Sequence, residues 1–304
     1  FIMLYDFGSS ILRSTGDSRR PLYCLIVAGV INTLLNLVLV IVFRLGVSGV
    51  AIATVISNIV SSSMVIYILT HESEPIKLEL RQLKISVKEL KKILVIGIPA
   101  GLQGMMFSIA NVCIQSTINS FGSSAVAGSA AALNYEFFAY FLVNAFAQAA
   151  VTFTSQNYGV RKTKRMDKVL MDCIILSFAV SFTLGCGAYF FGDKLLRLYT
   201  SDPDVIQCGI EILAYTTVPY FCCGIMDLIP GALRGMGRSG VPMILSIIGT
   251  VGTRIVWIFG LFPHHRSLSF LFISYPVSWI ITIILQVICY YFVRKKVHKI
   301  ILNL

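Results

Sequence analysis

Three ionisable side chains lie deep inside long apolar stretches of this sequence: Glu136, Asp227 and Arg254. A charged group within hydrocarbon is costly, so a residue in such a position is a candidate for proton transfer, ion binding or ligand binding. Two further carboxylates in apolar stretches, Asp172 and Glu211, fall within about two turns of predicted helix ends, where a long side chain can reach water. The first three residues are therefore the candidates for chemistry.

Glu136 stands in the aromatic-rich stretch LNYEFFAYF. A poorly hydrated carboxyl group in this setting could exchange a proton or bind a cation. The alternative is an interfacial glutamate that faces water at the outer end of its helix. The sequence leaves both interpretations open.

Asp227 and Arg254 are predicted to form a pair. Asp227 lies seven residues before Arg234, which places it about 10 Å into the bilayer at 1.5 Å per residue. Arg254 follows Pro242 by twelve residues and comes out near the midplane. A buried arginine keeps its proton and needs a partner, and Asp227 is the nearest carboxylate by depth. The pair could be a structural brace or a switch that opens when H⁺ or substrate binds.

The composition places these residues in a membrane. Hydrophobic residues make up 56% of the 304 positions and charged residues 13%, against about 25% charged residues in soluble domains. The apolar residues form blocks of the ~20 residues that a helix needs to cross a bilayer. The net charge of +11 does not indicate nucleic-acid binding, because the basic residues lie between the blocks and not on one face with base-reading groups. The lipid bilayer is the expected partner.

Eight membrane-spanning helices are predicted, and residues 1–12 resemble the end of a further helix. The predicted spans are 21–43, 46–70, 93–118, 130–156, 169–191, 206–232, 241–262 and 268–293. Most of the 25 Lys and Arg residues fall in loops on one side of this arrangement. Cytoplasmic loops carry such an excess, so the C-terminus is predicted to be cytoplasmic.

The longest charged connection is EPIKLELRQLKISVKELKK, residues 74–92. It mixes apolar residues with Lys and Glu and contains Ser86-x-x-Glu89, a capping-box pattern. One interpretation is an amphipathic helix on the inner membrane surface. The other is a solvated connector.

A repeat recurs with an offset of 221 positions. LRSTGDSRRP and LRGMGRSGVP both stand before a long apolar stretch, and the glycine permits a tight turn while the proline starts the next helix. The shared residues are Asp6/Asp227, Leu12/Leu233, Arg13/Arg234, Gly16/Gly237, Ser18/Ser239 and Pro21/Pro242. Duplicated bundles are typical of secondary transporters. The first copy has fewer residues before its LR than the second, so further helices are expected in front of it. The alternative is that cytoplasmic loops in general use Gly, Arg and Pro.

Longer motifs strengthen this interpretation. They are YDFGSSILRSTGDSRRPL, GVSGVAIATVIS, GIPAGLQGMMFSIANVCIQSTIN, TFTSQNYGVRKTKR and GALRGMGRSGVPM. Together they resemble the multidrug and toxic compound extrusion (MATE) transporters, and the chain looks like helices five to twelve of a bacterial member. The resemblance implies an all-α polytopic membrane protein of duplicated six-helix bundles with a partial first lobe. The domains would be the end of the N-terminal lobe (1–72), a linker (73–92) and the C-terminal lobe (93–304).

The resemblance also implies a function. It predicts export of organic cations or other amphipathic compounds across the cytoplasmic (inner) membrane in exchange for H⁺ or Na⁺, by alternating access. A monomer is expected, with no cofactor other than the coupling ion.

In the first lobe, some family members bind a cation with an aspartate on the first helix, an Asn and an Asp one turn apart on the fifth, and a Thr on the sixth. The corresponding residues here are Asn32, Asn36 and Thr54. Asn36 replaces the carboxylate, which weakens a Na⁺ assignment. Asn32 and Asn36 share one helix face and predict a polar patch, or an ordinary interhelical hydrogen bond.

In the second lobe, many family members carry a glutamate on the seventh helix, whereas this chain offers Gln103, Ser108 and Asn111 there. A coupling carboxylate would then come from Glu136 or Asp227. The predicted substrate-binding residues are Gln103, Met106, Asn111 and Tyr140. Methionines and aromatic rings accommodate many apolar shapes, although they are also ordinary packing residues.

Three other functions compete with drug export. A flippase for lipid-linked saccharides would share the duplicated bundle, but would need several cationic residues in its cavity to hold a pyrophosphate. An intramembrane enzyme would need a paired nucleophile and base or a metal cluster, and the four histidines lie in loops or at span ends. A channel would need a filter-like loop or a ring of charge. The sequence therefore favours the exchanger, with the flippase as its alternative.

Overall fold

The computed structural model describes residues 1–73 and 76–302, and this part of the chain is built from helices without strands. In chain order the helices are α1 (Ile2–Ser14), α2 (Arg19–Asn36), α3 (Gly46–Thr70), α4 (Val87–Asn119), α5 (Ser123–Gly159), α6 (Thr163–Phe190), α7 (Gly192–Leu196), α8 (Pro203–Thr216), α9 (Tyr220–Gly235), α10 (Gly240–Ser246), α11 (Thr253–Val256) and α12 (Leu268–Leu302). The helices group into two compact units, Phe1–Ser86 and Val87–Leu304.

Seven helical segments of the described chain are long and apolar enough to cross a membrane, and eight are if one bent pair counts as a span. The bent pair consists of α8 and α9, which meet at 44°. All eight predicted spans therefore correspond to helical segments. The chain is a multi-pass membrane protein, and the prediction of an all-α polytopic fold is confirmed.

Within the described residues, three stretches are π-helical, with wider turns than an α-helix. They are Leu37–Val42 after α2, Ile247–Gly252 between α10 and α11, and Trp257–Leu261 after α11. The helix of the second unit that contains Arg254 thus alternates between α and π geometry from Gly240 to Leu261 and ends in a 3₁₀ turn at Phe262–His264. The apolar pattern of the sequence did not predict this change of pitch.

The repeated motif forms the same turn in both units. Gly16 and Gly237 have φ values of 93° and 73°, in the left-handed region that glycine enters without a Cβ clash. In each turn the glycine N–H donates to the carbonyl of the motif arginine, at 2.9 Å in the first copy and 2.8 Å in the second. The next N–H donates to the carbonyl of the motif leucine, at 3.2 and 2.9 Å. These Schellman-type turns end α1 and α9 at matching residues, as the repeat predicts.

The connection before α4 differs from the predicted amphipathic helix. Residues 74 and 75 lie outside the described part of the chain; after them, helical structure is limited to a 3₁₀ turn at Leu80–Gln82 until α4 begins at Val87. Leu83 and Ile85 are exposed. The capping-box residues are placed as expected, because α4 starts directly after Ser86 and carries Glu89 in its first turn. The pattern located the helix start, and the described residues before it agree with the solvated connector, the second of the two interpretations.

Charged side chains stabilise the N-terminal end of α2. The Asp17 carboxylate accepts hydrogen bonds from the backbone N–H groups of Arg19 and Arg20, at 3.0 and 3.2 Å. The Arg20 guanidinium pairs with both Asp17 and Glu72. The hydrogen bond from Arg20, followed by the two backbone donors, lowers the pKa of Asp17 below its usual value. This acidic cap satisfies backbone donors that the first turn of a helix leaves free.

In the second unit α5 packs against α6, α8 and α9, and α12 packs against α8 and α9. Pro219 lies at the break between α8 and α9, where it has no N–H to continue the helix, and the backbone at the break also contacts α6 closely. Thr217 Oγ1 donates to the carbonyl of Leu213 at 2.6 Å and to that of Gly185, on α6, at 3.4 Å. A Cβ at Gly185 would overlap the Thr217 carbonyl oxygen. Small residues permit this kind of approach between membrane helices.

Candidate functional site

A cavity of about 270 Å³ lies within the second unit and is rich in polar side chains. Its walls come from α4, α5, α9, the helix between Gly240 and His264, and α12. The lining residues are Ala100, Gln103, Gly104, Phe107, Asn111, Glu136, Tyr140, Asn144, Ala147, Gln148, Tyr220, Cys223, Met226, Asp227, Arg234, Thr250, Arg254, Tyr275 and Trp279. Glu136 and Asp227, the two carboxylates singled out by the sequence, therefore share one cavity.

Helical periodicity explains why α5 supplies so many of these groups. Glu136, Tyr140, Asn144 and Gln148 are spaced by four residues and so lie along one face of α5. The Asn144 amide donates to the Tyr140 hydroxyl at 3.2 Å. The largely apolar helix α5 therefore has one polar face, and this face lines the cavity.

Arg254 is held in this cavity by neutral groups. Its Nε donates to Ser278 Oγ at 3.2 Å, and its Nη1 donates to Asn111 Oδ1 at 3.0 Å. Its Cζ lies 4.1 Å from the centre of the Tyr275 ring, a cation–π contact. The residue is 5% exposed. Two hydrogen bonds and an aromatic face therefore hold the guanidinium in position.

The predicted pair between Arg254 and Asp227 is wrong. Among the described residues, the ion pairs within 4.0 Å do not include either side chain. Asp227 interacts electrostatically with Arg234, seven residues along the same helix, whereas Arg254 interacts with Glu136. The prediction compared the two residues by their distance from a helix end. It did not fix the direction in which each helix presents its side chain.

Three of the four predicted substrate-binding residues line the cavity, and one does not. Gln103, Asn111 and Tyr140 line the cavity, and Gln103 is buried. Met106 lies outside the set of lining residues, and its neighbour Phe107 takes that place. A shift of one residue turns a side chain by about 100° around a helix, so the prediction chose the wrong neighbour.

The aromatic wall of the cavity was not predicted from the sequence. Trp279 packs edge-on against Tyr220 and Tyr275, with ring centres 5.7 and 5.8 Å apart. The three rings come from α9 and α12. The spacing of Tyr275 and Trp279 by four residues was the available signal, but aromatic residues are frequent in every span of this chain.

The first-unit candidates form a smaller polar patch. The Asn36 amide donates to Asn32 Oδ1 at 3.0 Å, and the Asn32 amide donates to Ser57 Oγ at 3.2 Å. Thr54 is exposed, and its hydroxyl donates to the Val50 carbonyl of its own helix at 2.9 Å. Asn32 and Asn36 thus lie together as predicted, while Ser57 takes the contact expected of Thr54. Ser57 was not singled out from the sequence.

The repeat relates this patch to Arg254. Ser57 and Ser278 are separated by the same 221 positions as the matched turns. Ser57 accepts a hydrogen bond from Asn32, and Ser278 accepts one from Arg254, which follows the equivalent of Asn32 by one position. Both units therefore tie a polar side chain on one span to a serine on the next. The second unit adds a positive charge at this place.

The remaining intramembrane carboxylates lie elsewhere. Asp172 is exposed on α6, and Glu211 accepts a hydrogen bond from the Ser269 hydroxyl. Within the ranges that the structure describes, no group of three or more His, Cys, Asp and Glu side chains is arranged to hold a metal ion. The candidate site is therefore a polar cavity in which Glu136, Asp227, Arg234 and Arg254 supply the charges.

Comparisons with known proteins identify the family. The MatE family profile matches residues 99–259, which is more than half of the chain. The chain belongs to the MATE family. It is 28% identical over 305 residues to the probable multidrug resistance protein YoeA of Bacillus subtilis (strain 168), covering 97% of this chain and 66% of that protein. It is also 28% identical over 257 residues to the probable multidrug resistance protein NorM of Thermotoga maritima, covering 81% of this chain and 54% of that protein.

Solved structures of this family share the fold. A crystal structure of a MATE protein in complex with MaL6 superimposes with a TM-score of 0.89 at 21% identity, covering 97% of this chain and 67% of the other. The Vibrio cholerae MATE transporter VcmN in its bent form gives a TM-score of 0.84 at 22% identity, covering 96% of this chain and 66% of the other. The chain therefore spans between about half and two thirds of the length of the relatives that it matches in sequence.

Proposed function

We propose that this MATE protein exports organic cations from the cytoplasm in exchange for inward H⁺ or Na⁺, by alternating access. The observation that carries the proposal is the presence of two carboxylates, Glu136 and Asp227, in one cavity among membrane-spanning helices. The relatives named as multidrug resistance proteins support the export of drug-like compounds. The cavity supports a cationic substrate.

Exchange follows from competition for the same groups. A carboxylate among membrane-spanning helices is costly to leave uncompensated and favours a positive partner, which can be a proton, a metal cation or an organic cation. If H⁺ or Na⁺ and the substrate both bind at Glu136 and Asp227, occupation by one lowers the affinity for the other. This negative coupling is the thermodynamic requirement of an antiporter.

The aromatic wall of the cavity fits the apolar part of an organic cation. Tyr220, Tyr275 and Trp279 line the same cavity as the carboxylates. Aromatic rings attract organic cations by about 0.5–2 kcal/mol, depending on how far the cation is desolvated. Gln103, buried in the α4 wall, adds a polar group that can orient a bound molecule.

The charge of the cavity disfavours the flippase alternative. Two guanidinium groups, on Arg234 and Arg254, are balanced by two carboxylates. A site for a pyrophosphate needs an excess of positive charge.

We further propose that the protein acts as a monomer in the cytoplasmic membrane. Its C-terminus would lie inside, because the distribution of Lys and Arg predicts this orientation.

A binding experiment tests the proposal with the 304-residue chain. The chain is placed in lipid nanodiscs, and tetraphenylphosphonium is titrated at about pH 6 and about pH 8, with and without Na⁺. We expect lower affinity at the lower pH or in Na⁺. Glu136→Gln or Asp227→Asn should weaken binding by about tenfold, which is about 1.4 kcal/mol, and should remove the competition. Asp172→Asn, which changes an exposed carboxylate within a span, is the matched control.

Transport is measured separately. In a chimaera, the part of YoeA that this chain does not cover is joined to it, and efflux of ethidium from vesicles is followed under imposed H⁺ or Na⁺ gradients. Efflux that follows one gradient and is lost with Glu136→Gln or Asp227→Asn supports exchange. Binding that is insensitive to both carboxylates, or equally sensitive to Asp172, would show that the cavity is not the cation site.

A further inference from the structure

A second cavity, of about 410 Å³, lies on the side of the second unit between α6 and α12. Its walls are almost entirely apolar and come from Leu170, Met171 and Ile174 of α6 and from Val287 and Tyr291 of α12. Ile229 of α9 is also part of the lining and is 2% exposed. α6 and α12 both pack on α9, so the cavity is a groove with α9 as its floor.

The groove runs along the two helices. On α6 the lining residues Asp167, Leu170, Met171 and Ile174 follow the spacing of one helix face, and Val287, Tyr290, Tyr291 and Arg294 do the same on α12. Seven residues of helix extend about 10 Å. That length matches the upper part of a lipid acyl chain rather than a compact solute.

One end of the groove is polar. The Asp167 carboxylate accepts hydrogen bonds from the Tyr290 hydroxyl at 3.1 Å and from Arg294 Nε at 2.6 Å. Further along the same end, Thr163 Oγ1 lies 3.4 Å from His298 Nδ1. These contacts link the first residues of α6 to α12 at one end of the groove. They leave the apolar part of the groove open.

The polar end carries an excess of positive charge. Lys164, Lys168 and Lys295 are exposed within four residues of Asp167 or Arg294, and Arg294 itself keeps about half of its side chain exposed. Among the described residues that line the groove, Asp167 is the one carboxylate. Asp167 pairs with Arg294, and the neighbouring lysines give this end of the groove an excess of positive charge, which favours an anionic group there.

We propose that this groove binds an anionic phospholipid of the cytoplasmic leaflet. One acyl chain lies between α6 and α12 on the surface of Ile229, and the headgroup phosphate contacts Arg294 and the neighbouring lysines. The site is separate from the carboxylate-lined cavity, since the lining residues described for the two do not overlap. It does not depend on the proposed transport function.

Native mass spectrometry of the 304-residue chain tests the site. The chain is purified in detergent with equal amounts of phosphatidylglycerol and phosphatidylcholine. We expect one phosphatidylglycerol molecule to be retained in preference to phosphatidylcholine. Arg294→Gln and Lys295→Gln should each lower its relative occupancy about fivefold, because a basic residue near an anionic lipid contributes about that factor. Arg238→Gln, in another loop with the same sign of charge, should leave the occupancy unchanged.

Filling the groove tests the acyl-chain part. Met171→Trp places an indole in the lining, and Leu176→Trp places one on the same helix outside it; the two side chains are 56% and 54% exposed. Tyr291→Trp is a second filling variant on α12. We expect Met171→Trp and Tyr291→Trp to displace the retained lipid, and Leu176→Trp to keep it. Equal retention of both lipids, or equal loss with Leu176→Trp, would overturn the proposal in favour of a non-specific lipid shell.

Discussion

The position of Arg254 follows from its neutral partners rather than from a carboxylate. The guanidinium is held by Ser278, Asn111 and the Tyr275 ring, and among the described residues neither Glu136 nor Asp227 takes part in an ion pair within 4.0 Å. This arrangement places a fixed positive charge in the cavity that we propose as the cation site. On that proposal, the charge of Arg254 would limit how many cations the two carboxylates hold at once.

The first prediction concerns the hydrogen bond from Arg254 to Asn111. Asn111→Ala removes the acceptor and leaves a buried N–H donor unpaired, so we expect the free energy of unfolding to fall by about 1–3 kcal/mol. The measurement is the unfolding midpoint in detergent. Asn134→Ala is the control, because Asn134 is exposed and donates to the Ala130 carbonyl of its own helix. An equal loss in both variants would contradict the assigned role.

At the scale of single residues, the sequence located the candidates by depth. Glu136 and Asp227 were recognisable because few charges enter the apolar stretches. The partner of Arg254 was not recognisable, because counting residues from a helix end gives a height and not a direction around the helix. Two π-helical stretches flank Arg254 and change that direction further. The choice of Met106 over Phe107 failed for the same reason.

At the scale of elements, the break between α8 and α9 contains Pro219, which cannot donate a backbone hydrogen bond, and it packs closely on α6. Gly185 lies so close to the Thr217 carbonyl that a methyl group has no space, whereas a Cβ added at Gly187 on the same helix would have no described heavy atom within 4 Å. We expect Gly185→Ala to destabilise the protein by about 1–3 kcal/mol through overpacking and Gly187→Ala to be neutral or slightly stabilising. Thermal unfolding of the two variants compares them directly. Similar midpoints would show that α6 and the break can move apart at little cost.

Hydropathy predicted where every long helix runs, because about twenty apolar residues have few other stable arrangements in a membrane protein. It could not predict the break at residues 217–219, since the apolar character of the segment continues through it. For the connection before α4, the sequence left an amphipathic helix and a solvated connector open. Leu80, Leu83 and Ile85 alternate with charged residues as in an amphipathic helix, but they are exposed in a segment that is not helical apart from one short turn.

At the scale of the whole molecule, the distribution of charge predicts a topology that limited proteolysis can measure. Arg81 and Lys84 lie in the exposed segment before α4, on the side predicted to be cytoplasmic. Arg266 lies in the loop between the last two spans, on the opposite side. We expect trypsin to cut near Arg81 and Lys84 in inside-out vesicles and to leave this segment intact in right-side-out vesicles.

Fragment masses identify the cut. The substitutions Arg81→Gln and Lys84→Gln together should remove it, and Arg266→Gln should not. Cleavage near Arg81 in right-side-out vesicles would reverse the orientation and with it the proposed direction of export. It would also move the polar end of the lipid groove to the outer leaflet.

The alternation of α and π turns around Arg254 has a consequence for how this cavity can change over evolution. A π turn holds one residue more than an α turn needs, so a one-residue deletion there can be absorbed by a return to α geometry, and the residues on one side of it rotate by about 100°. A deletion within Ile247–Gly252 would turn Arg254 relative to the start of the helix, whereas one within Trp257–Leu261 would leave that relation intact. Single-codon losses could therefore change the charge of the cavity without replacing any of the residues that line it.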